Sequence, residues 1–334
     1  LPTTSQDPNT SQSDCEIKNV TDRPSEDRKP LNLKDLAGWL LIDKASGPTS
    51  RDALNKLQWR WKKLKVGHAG TLDPLATGLL LVAVGTATRL VEITHRLDKS
   101  YEARIRLGAT SPTDDADGDW LTNSEANPVP LPEIEAALAS LTGPEMMQTP
   151  PSFSAIHTRG KRAYELARKG QEVELTARPV RIDQIVIKDY SWPFLDIVVE
   201  CGAGTYIRSI ARDLGEKLGV GGMIETLRRT KIGPFHVDEA IAIEKLLDTP
   251  NLGDEVQPSA RALQGWPQVI LNEETLNLVA RGRPVPVTDP ALEIVQDQEV
   301  ALIGPAGELA ALAKGVEHEG LFWAQPHKVF LSQE

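Results

Sequence analysis

The sequence predicts an α+β fold: a mixed sheet with flanking helices, followed by a small β-rich domain. Three observations predict it. Apolar runs of strand length recur at 39–42, 79–84, 101–107, 180–190 and 195–201. Helical periodicity is clearest at Ile207, Ile210, Ala211, Leu214 and Leu218. The two kinds of segment follow one another without the regular βαβ rhythm of a doubly wound sheet.

Order is expected to begin near Gly38. Trp39, Leu40, Leu41 and Ile42 form a short strand that runs into a loop at Gly47-Pro48. Ser50 is the expected cap of a helix over about 51–61. Residues 79–84 are apolar without a break, as in a strand buried on both faces, although a buried helix has the same pattern. At 101–107, Tyr101, Ala103, Ile105 and Leu107 share one face and Glu102, Arg104 and Arg106 the other, which gives a half-buried strand. Two further strands are expected at 180–190 and 195–201, and after Gly202 and Gly204 the period changes to helical.

Pro, Gly, Asp and Glu cluster at 251–257, where a boundary is expected. Beyond it, short apolar segments at 300–303, 309–313 and 329–331 are separated by Gly and Pro. The expected organisation is therefore a tail over 1–35, a main domain over 36–254 and a small β-rich domain over 255–334. Ser, Thr, Asn, Asp and Pro dominate the tail, which buries too little apolar surface to offset its ordering entropy. The tail lacks the apolar core of a signal peptide and is too acidic for a transit peptide. The chain opens on Leu1 and not Met, as expected of a trimmed or incomplete chain.

With 334 residues, 40% of them apolar, the chain can build a large core. No apolar run approaches the ~18 residues of a membrane span, so a soluble protein is expected. Cys15 and Cys201 cannot build a disulfide framework, and no Cys/His cluster has zinc spacing. A reducing, cytoplasmic compartment is expected. The net charge of −10 argues at first against a nucleic-acid partner, but its distribution reverses that impression. Residues 237–334 carry 6 basic and 16 acidic side chains, which leaves the preceding part balanced. Within that part, 51–106 holds 11 basic against 5 acidic residues, and 159–181 holds 7 against 3. By charge alone these stretches read as solvated faces or as phosphate-binding surface.

Several familiar sites fail on spacing. Gly202-Ala203-Gly204 begins a dinucleotide fingerprint, but Ile207 stands where its third glycine belongs. Gly160-Lys161 lacks the following Ser or Thr of a P-loop. Asp115-Ala116-Asp117-Gly118 imitates a calcium loop whose first and twelfth positions would be Thr113 and Ser124, so an acidic turn is expected. No nucleophile elbow is present. No cofactor and no metal are expected.

What remains is GHAGTLDPLATG, residues 67–78. Three glycines and a proline around His68 and Asp73 specify a tight loop that ends against the buried 79–84 strand. Asp-Pro is also a routine turn starter, and by spacing alone Asp73 reads as a turn residue.

At this loop the sequence resembles the TruB family of tRNA pseudouridine synthases. The resemblance extends through GWLLIDKASGPTS (38–50), KSYEARIRLGATSPTDDADG (99–118), QTPPSFSAIHTRGKRAYELARKG (148–170), GTYIRSIARDLGEKL (204–218) and LRRTKIGPF (227–235). These blocks stand in family order over about 200 residues. The resemblance implies a largely antiparallel, pseudouridine synthase-like sheet, a thumb-like insertion at about 145–178 and a PUA-like C-terminal domain. It implies conversion of uridine 55 in the TΨC loop of tRNA to pseudouridine, with the TΨC stem-loop as partner, and a monomer is expected.

The roles implied follow motif position. Asp73 resembles the essential aspartate. It either adds to the sugar as a nucleophile or removes the 2′ hydrogen to give a glycal. Arg208 resembles the arginine whose nearby charge keeps that carboxylate ionised. Tyr101 resembles the tyrosine that stacks on the flipped uracil, and by pattern alone it is a core-facing strand residue. Tyr206 and Leu227 resemble residues that line the base site, and His68 the histidine where the flipped nucleotide leaves the stack. Lys161, Arg162, Arg168 and Lys169 fall in the block resembling the mobile thumb and are expected to bind RNA. Lys62, Lys63 and Lys65 are weaker candidates for the same role.

The chain departs from the family pattern at Ala45, commonly proline, and at Gly202 and Ala203. The acidity of 255–334 argues against a large RNA footprint there. Two rivals remain: a tRNA-folding chaperone without catalysis, whose mark would be a damaged Asp73, Tyr101 or Arg208, and a nucleoside hydrolase, which needs a metal-binding carboxylate cluster or a positioned water.

Overall fold

Strands that are apolar on both faces need a covering layer on each side, and this chain supplies helices on one side and a second sheet on the other. The computed structural model describes residue 33 and residues 35–154, 157–158, 161–162, 175–289 and 291–331. The expected tail, apart from residues 33 and 35, lies outside the described residues, as do residues 155–156, 159–160 and 163–174 of the thumb-like insertion, Arg168 and Lys169 among them.

The first sheet contains β1 (Gly38–Lys44), β2 (Val66–His68), β3 (Thr77–Val84), β4 (Lys99–Leu107), β5 (Gly143–Gln148), β6 (Arg178–Ser191), β7 (Phe194–Cys201), β8 (Gly222–Ile232), β9 (Phe235–His236) and β10 (Ile241–Ala242). Their order is β10-β1-β3-β8-β4-β7-β6-β5, with β2 added to β3 and β9 to β8. Only β1 with β10 and β3 with β8 run parallel; the other pairings are antiparallel. The second sheet joins β11 (Gln268–Ile270), β12 (Val285–Pro286), β13 (Glu299–Ile303), β14 (Leu309–His318) and β15 (Leu321–Val329) in the order β11-β13-β14-β15-β12. The α+β class and the β-rich C-terminal part are as the sequence predicts.

Three helices pack into the core beside the first sheet: α1 (Ser50–Arg60), α2 (Leu131–Ala139) and α3 (Ile207–Lys217). Ala53, Leu54 and Leu57 of α1 and Ile207, Ile210, Ala211 and Leu214 of α3 pack with Leu80, Val82, Ala103 and Ile105 of the sheet. The opposite face of β3, through Leu79, Leu81 and Ala83, packs with Ala301, Ile303, Leu309 and Leu312 of the second sheet. This two-sided burial explains the unbroken apolar run at 79–84. The segment after 251 is tied to β1: Trp39 and Gln257 exchange backbone hydrogen bonds at 2.8 Å, and the Trp39 indole donates to the Ser259 carbonyl.

One expected cap is corrected. Thr49, not Ser50, caps α1, in a capping box with Asp52. Thr49 takes the extended backbone of a cap and leaves Ser50 on the first turn, 1% exposed and turned inward. That inward hydroxyl serves the site.

Candidate active site

The loop between β2 and β3 carries Asp73, and five separate attachments hold it. The Ser50 hydroxyl donates to the Leu72 carbonyl and accepts from the Leu72 amide at 2.9 Å. Lys44 Nζ donates to the carbonyls of Ala45 and Pro74. The Gly47 amide also reaches Pro74 O at 2.9 Å. Asp117 accepts from the Leu75 amide, and Arg229 donates to the carbonyls of Gly70 and Leu79. Gly78, at φ +96°, lets this loop enter β3, and a Cβ there would stand 2.3 Å from the Arg229 carbonyl. The Asp73 carbonyl accepts from the Ala76 amide at 3.1 Å, so Asp73 does form the turn its Asp-Pro pair predicts. Its side chain is left free for something else.

That side chain meets Arg208. The guanidinium projects from the first turn of α3 and is 4% exposed, with Nε 3.0 Å from Asp73 Oδ2. The approach lies off the N–H direction, so the contact is an ion pair and not an aligned hydrogen bond. The other guanidinium nitrogens are committed: Nη1 donates to Thr113 O at 2.8 Å and Nη2 to Phe153 O at 2.9 Å. Nη1 also lies 3.5 Å from Oδ2 of Asp115. Asp115 is itself 3% exposed and accepts from the Thr113 hydroxyl at 2.6 Å. Burial pushes the Asp115 carboxyl above its ordinary pKa, opposed by the Thr113 hydrogen bond and by Arg208. Arg208 is therefore fixed in position by two carbonyls and a second acid, and it offers Asp73 a charge that cannot swing away.

The pair opens on a cavity of about 460 Å³ lined also by Tyr101, Tyr206, Leu227 and Arg229. Tyr101 is 8% exposed and stands across from Arg229 in the pairing of β4 with β8. It is both a core residue and a wall of the cavity, which reconciles its two readings. Burial raises the Tyr101 phenol above its ordinary pKa, and the Arg229 guanidinium opposes that rise. Tyr206 is held through its backbone, which donates to and accepts from the Gln148 amide group. A larger, open groove of about 790 Å³ shares only Lys99 with this cavity and contains neither Asp73 nor Tyr101. The smaller cavity is the one with chemistry in it.

Five of the predicted site residues, Asp73, Tyr101, Tyr206, Arg208 and Leu227, thus meet around one space. His68 stands outside its lining, on β2 opposite Val82, with Nδ1 buried and unpartnered among the described residues. Burial lowers the His68 pKa, helped by the Arg51 charge. Lys161 and Arg162 form one strand of a short hairpin with His157–Thr158. Among the described residues no group of three or more His, Cys, Asp or Glu side chains could hold a metal ion. Arg229 in the cavity wall, Lys44 beside Pro74 and Asp115 beside Arg208 carry no motif in the sequence that marks them for the site.

Comparison with known proteins gives the family. Residues 57–207 match the model described as TruB family pseudouridylate synthase (N terminal domain), and residues 208–264 match that of the tRNA pseudouridylate synthase B C-terminal domain. The chain belongs to the TruB family. A relative named tRNA pseudouridine synthase B from Mycobacteroides abscessus is 43% identical over 254 residues, covering 75% of this chain and 84% of its own. Another of that name from Cereibacter sphaeroides is 42% identical, covering 82% and 94%. Among solved structures, a chain of an H/ACA RNP bound to a substrate RNA containing 2′-deoxyuridine superposes with a TM-score of 0.68 at 25% identity, covering 88% of this chain and 85% of that one. A chain of an archaeal box H/ACA Nop10–Cbf5 complex gives 0.67 at 25%, covering 91% and 89%. TruB-family pseudouridine synthases are isomerases, and this chain is an enzyme of that class. No helix among the described residues is long and apolar enough to cross a membrane.

One lysine at the rim of the TruB cavity makes stability depend on pH. Lys99 is 9% exposed, donates to the carbonyls of His95 and Leu97, and burial lowers its pKa from 10.5 to about 8. Between those two values the unfolded lysine still holds a proton that the folded one has released. Stability contributed at this position therefore rises with pH across that window. Urea unfolding of wild type and Lys99→Met at pH 7.5 to 10.5 should show the wild type gaining about 1–3 kcal/mol on the variant. A constant difference would contradict the assignment.

Proposed function

We propose that this protein converts uridine 55 in the TΨC loop of tRNA to pseudouridine. The observation that carries the proposal is the Asp73–Arg208 ion pair at the edge of a cavity walled by Tyr101 and Leu227. The relatives named tRNA pseudouridine synthase B supply the substrate class.

Geometry dictates the order of events. A carboxylate cannot reach C1′ of a stacked uridine and then present C5 to the same carbon, so the nucleotide must leave the stack. Extrusion costs roughly a few kcal/mol, offset by contacts to the RNA backbone and by the cavity. Tyr101 then stacks on the uracil, while Tyr206 and Leu227 bound the space in which it turns. Asp73, aimed by its ion pair with Arg208, takes C1′ as the N1–C1′ bond breaks, or else takes the 2′ hydrogen. The freed uracil rotates and C5 bonds to C1′ as Asp73 is released or, on the glycal route, returns the hydrogen to C2′; the C5 proton then departs and N1 gains one. A C–N bond is exchanged for a stronger C–C bond, so no external energy source is needed. His68 acts earlier, where the nucleotide leaves the stack.

Lys161, Arg162, Arg168 and Lys169 bind the RNA backbone as part of the thumb. Neutralising Lys161 and Arg162 together should weaken tRNA binding and reduce the salt slope of its affinity by about 2. Filter binding across a salt series checks this, and an unchanged slope would remove both from the RNA footprint. The protein works as a cytoplasmic monomer, with 255–334 as an appended PUA-like domain. Incubation with an unmodified tRNA transcript, followed by chemical labelling of pseudouridine and primer extension, tests the whole proposal. A single stop at position 55 is expected, and a stop elsewhere or none would overturn it.

A further inference from the structure

Arg229 carries a charge that the steps above do not use. It sits on the central strand β8, is 2% exposed and lines the cavity beside Tyr101. Its Nε donates to Leu79 O at 2.8 Å, and its other nitrogens approach Gly70 O at 3.2 Å and Thr71 O at 3.5 Å. Among the described residues no carboxylate forms an ion pair with it, whereas Arg208 has both Asp73 and Asp115. A desolvated guanidinium compensated by carbonyl dipoles and the neighbouring Tyr101 phenol, with no carboxylate paired to it, is an expensive arrangement. The surplus is a property of the whole cavity, whose lining cations Lys99, Arg208 and Arg229 face one lining carboxylate, Asp73. Such a space is electrostatically complete only when negative charge develops inside it.

We propose that Arg229 is a catalytic residue that stabilises the uracil anion released when the N-glycosidic bond breaks. This rests on the function proposed above. Heterolysis of N1–C1′ leaves the electron pair on N1, and the negative charge spreads to O2 and O4 of the detached base. Asp73 meanwhile satisfies C1′, or accepts the 2′ hydrogen and returns it to C2′ when C5 bonds to C1′, so no other reactant is needed. The anion persists until C5 attacks C1′, the C5 proton is lost and N1 is protonated. A fixed cation beside Tyr101 lowers the energy of that interval and does little for neutral uridine, which is the condition for raising turnover and not merely affinity.

The test uses single-turnover cleavage of the N-glycoside in tRNA carrying uridine or 5-fluorouridine at the target position. Fluorine withdraws electron density, so its detached base is the more stable anion and needs less help. Arg229→Gln should slow the uridine reaction by about 10²-fold. Its loss with 5-fluorouridine should be at least about tenfold smaller, and Arg229→Lys should recover part of the uridine rate. Equal losses with both bases would mean that Arg229 only props the Gly70–Thr71 backbone, and would overturn the inference. A loss confined to tRNA affinity would make it a phosphate ligand and overturn it too. Wild type that forms no pseudouridine overturns the function itself, whereas active wild type with equal losses overturns this inference alone.

Should neither variant fold, Asp73→Asn bound to the 5-fluorouridine tRNA gives a second reading by fluorine NMR. Loss of the N3 proton places charge on the same O2 and O4. It should occur at lower pH in the complex than in free tRNA, and an unchanged or higher value would overturn the inference.

Discussion

Asp73→Ala should remove pseudouridine formation, with a fall in single-turnover rate of at least about 10⁴-fold, and should leave tRNA affinity within about tenfold of wild type. The split follows from where the two kinds of contact lie. Asp73 sits within a loop whose backbone is held at Leu72, Pro74 and Leu75 by the side chains of Ser50, Lys44 and Asp117, contacts that the substitution does not touch. Its carboxylate, about one third exposed, reaches the cavity and makes one ion pair. Affinity for RNA depends on phosphate contacts elsewhere. Parallel rate and filter-binding measurements check both halves. Retained turnover would remove Asp73 from the chemistry, and lost affinity would make it a binding residue instead.

Arg208→Met is expected to damage both fold and turnover. The guanidinium is 4% exposed and is shared between Asp73, the buried Asp115 and two carbonyls. Removing it leaves the Asp115 carboxylate buried without its cation, a loss of about 3–5 kcal/mol in stability. Turnover should fall by about 10²-fold or more, because Asp73 loses the buried, fixed charge that aims its carboxylate at the cavity. The double variant Arg208→Met with Asp115→Asn separates the two effects. Removing the orphaned charge should restore much of the stability and none of the turnover, as read by urea unfolding and single-turnover rates. Recovery of turnover in the double variant would mean that Arg208 serves only to neutralise Asp115.

The tight loop around Asp73 is legible because its residues are restrictive, with glycines at 67, 70 and 78, Pro74 and an unbroken apolar strand after it, whereas the role of Asp73 within that loop rests on the family resemblance. The strands at 39–42, 79–84, 101–107 and 195–201 were legible because each keeps one period along its length. β8 was not legible. Its pairing with β4 shifts register between Ile224 and Thr226 and again between Arg229 and Lys231, so period-two alternation is broken twice. It also buries Arg229, which reads in sequence as an exposed charge. Asp115 was hidden for a related reason. An acidic turn is ordinarily solvated, and only the approach of Arg208 from α3, 93 positions away in sequence, brings its carboxylate inside. Thr49 and Ser50 are both good caps by residue type, and only the inward turn of Ser50 to Leu72 distinguishes the two. Contacts between distant segments leave no period to read.

The central claim is that the Asp73 carboxylate drives an isomerisation in which the base is detached, turned and rejoined through C5. Tritium placed at C5 of uridine in an unmodified tRNA reports on that step directly, because the new bond forms only if the C5 hydrogen leaves. Wild type should release the tritium of about one uridine per tRNA with no free uracil in solution, and Asp73→Asn should release none. Tritium retained by the wild-type reaction, or uracil set free from the RNA, would contradict the account.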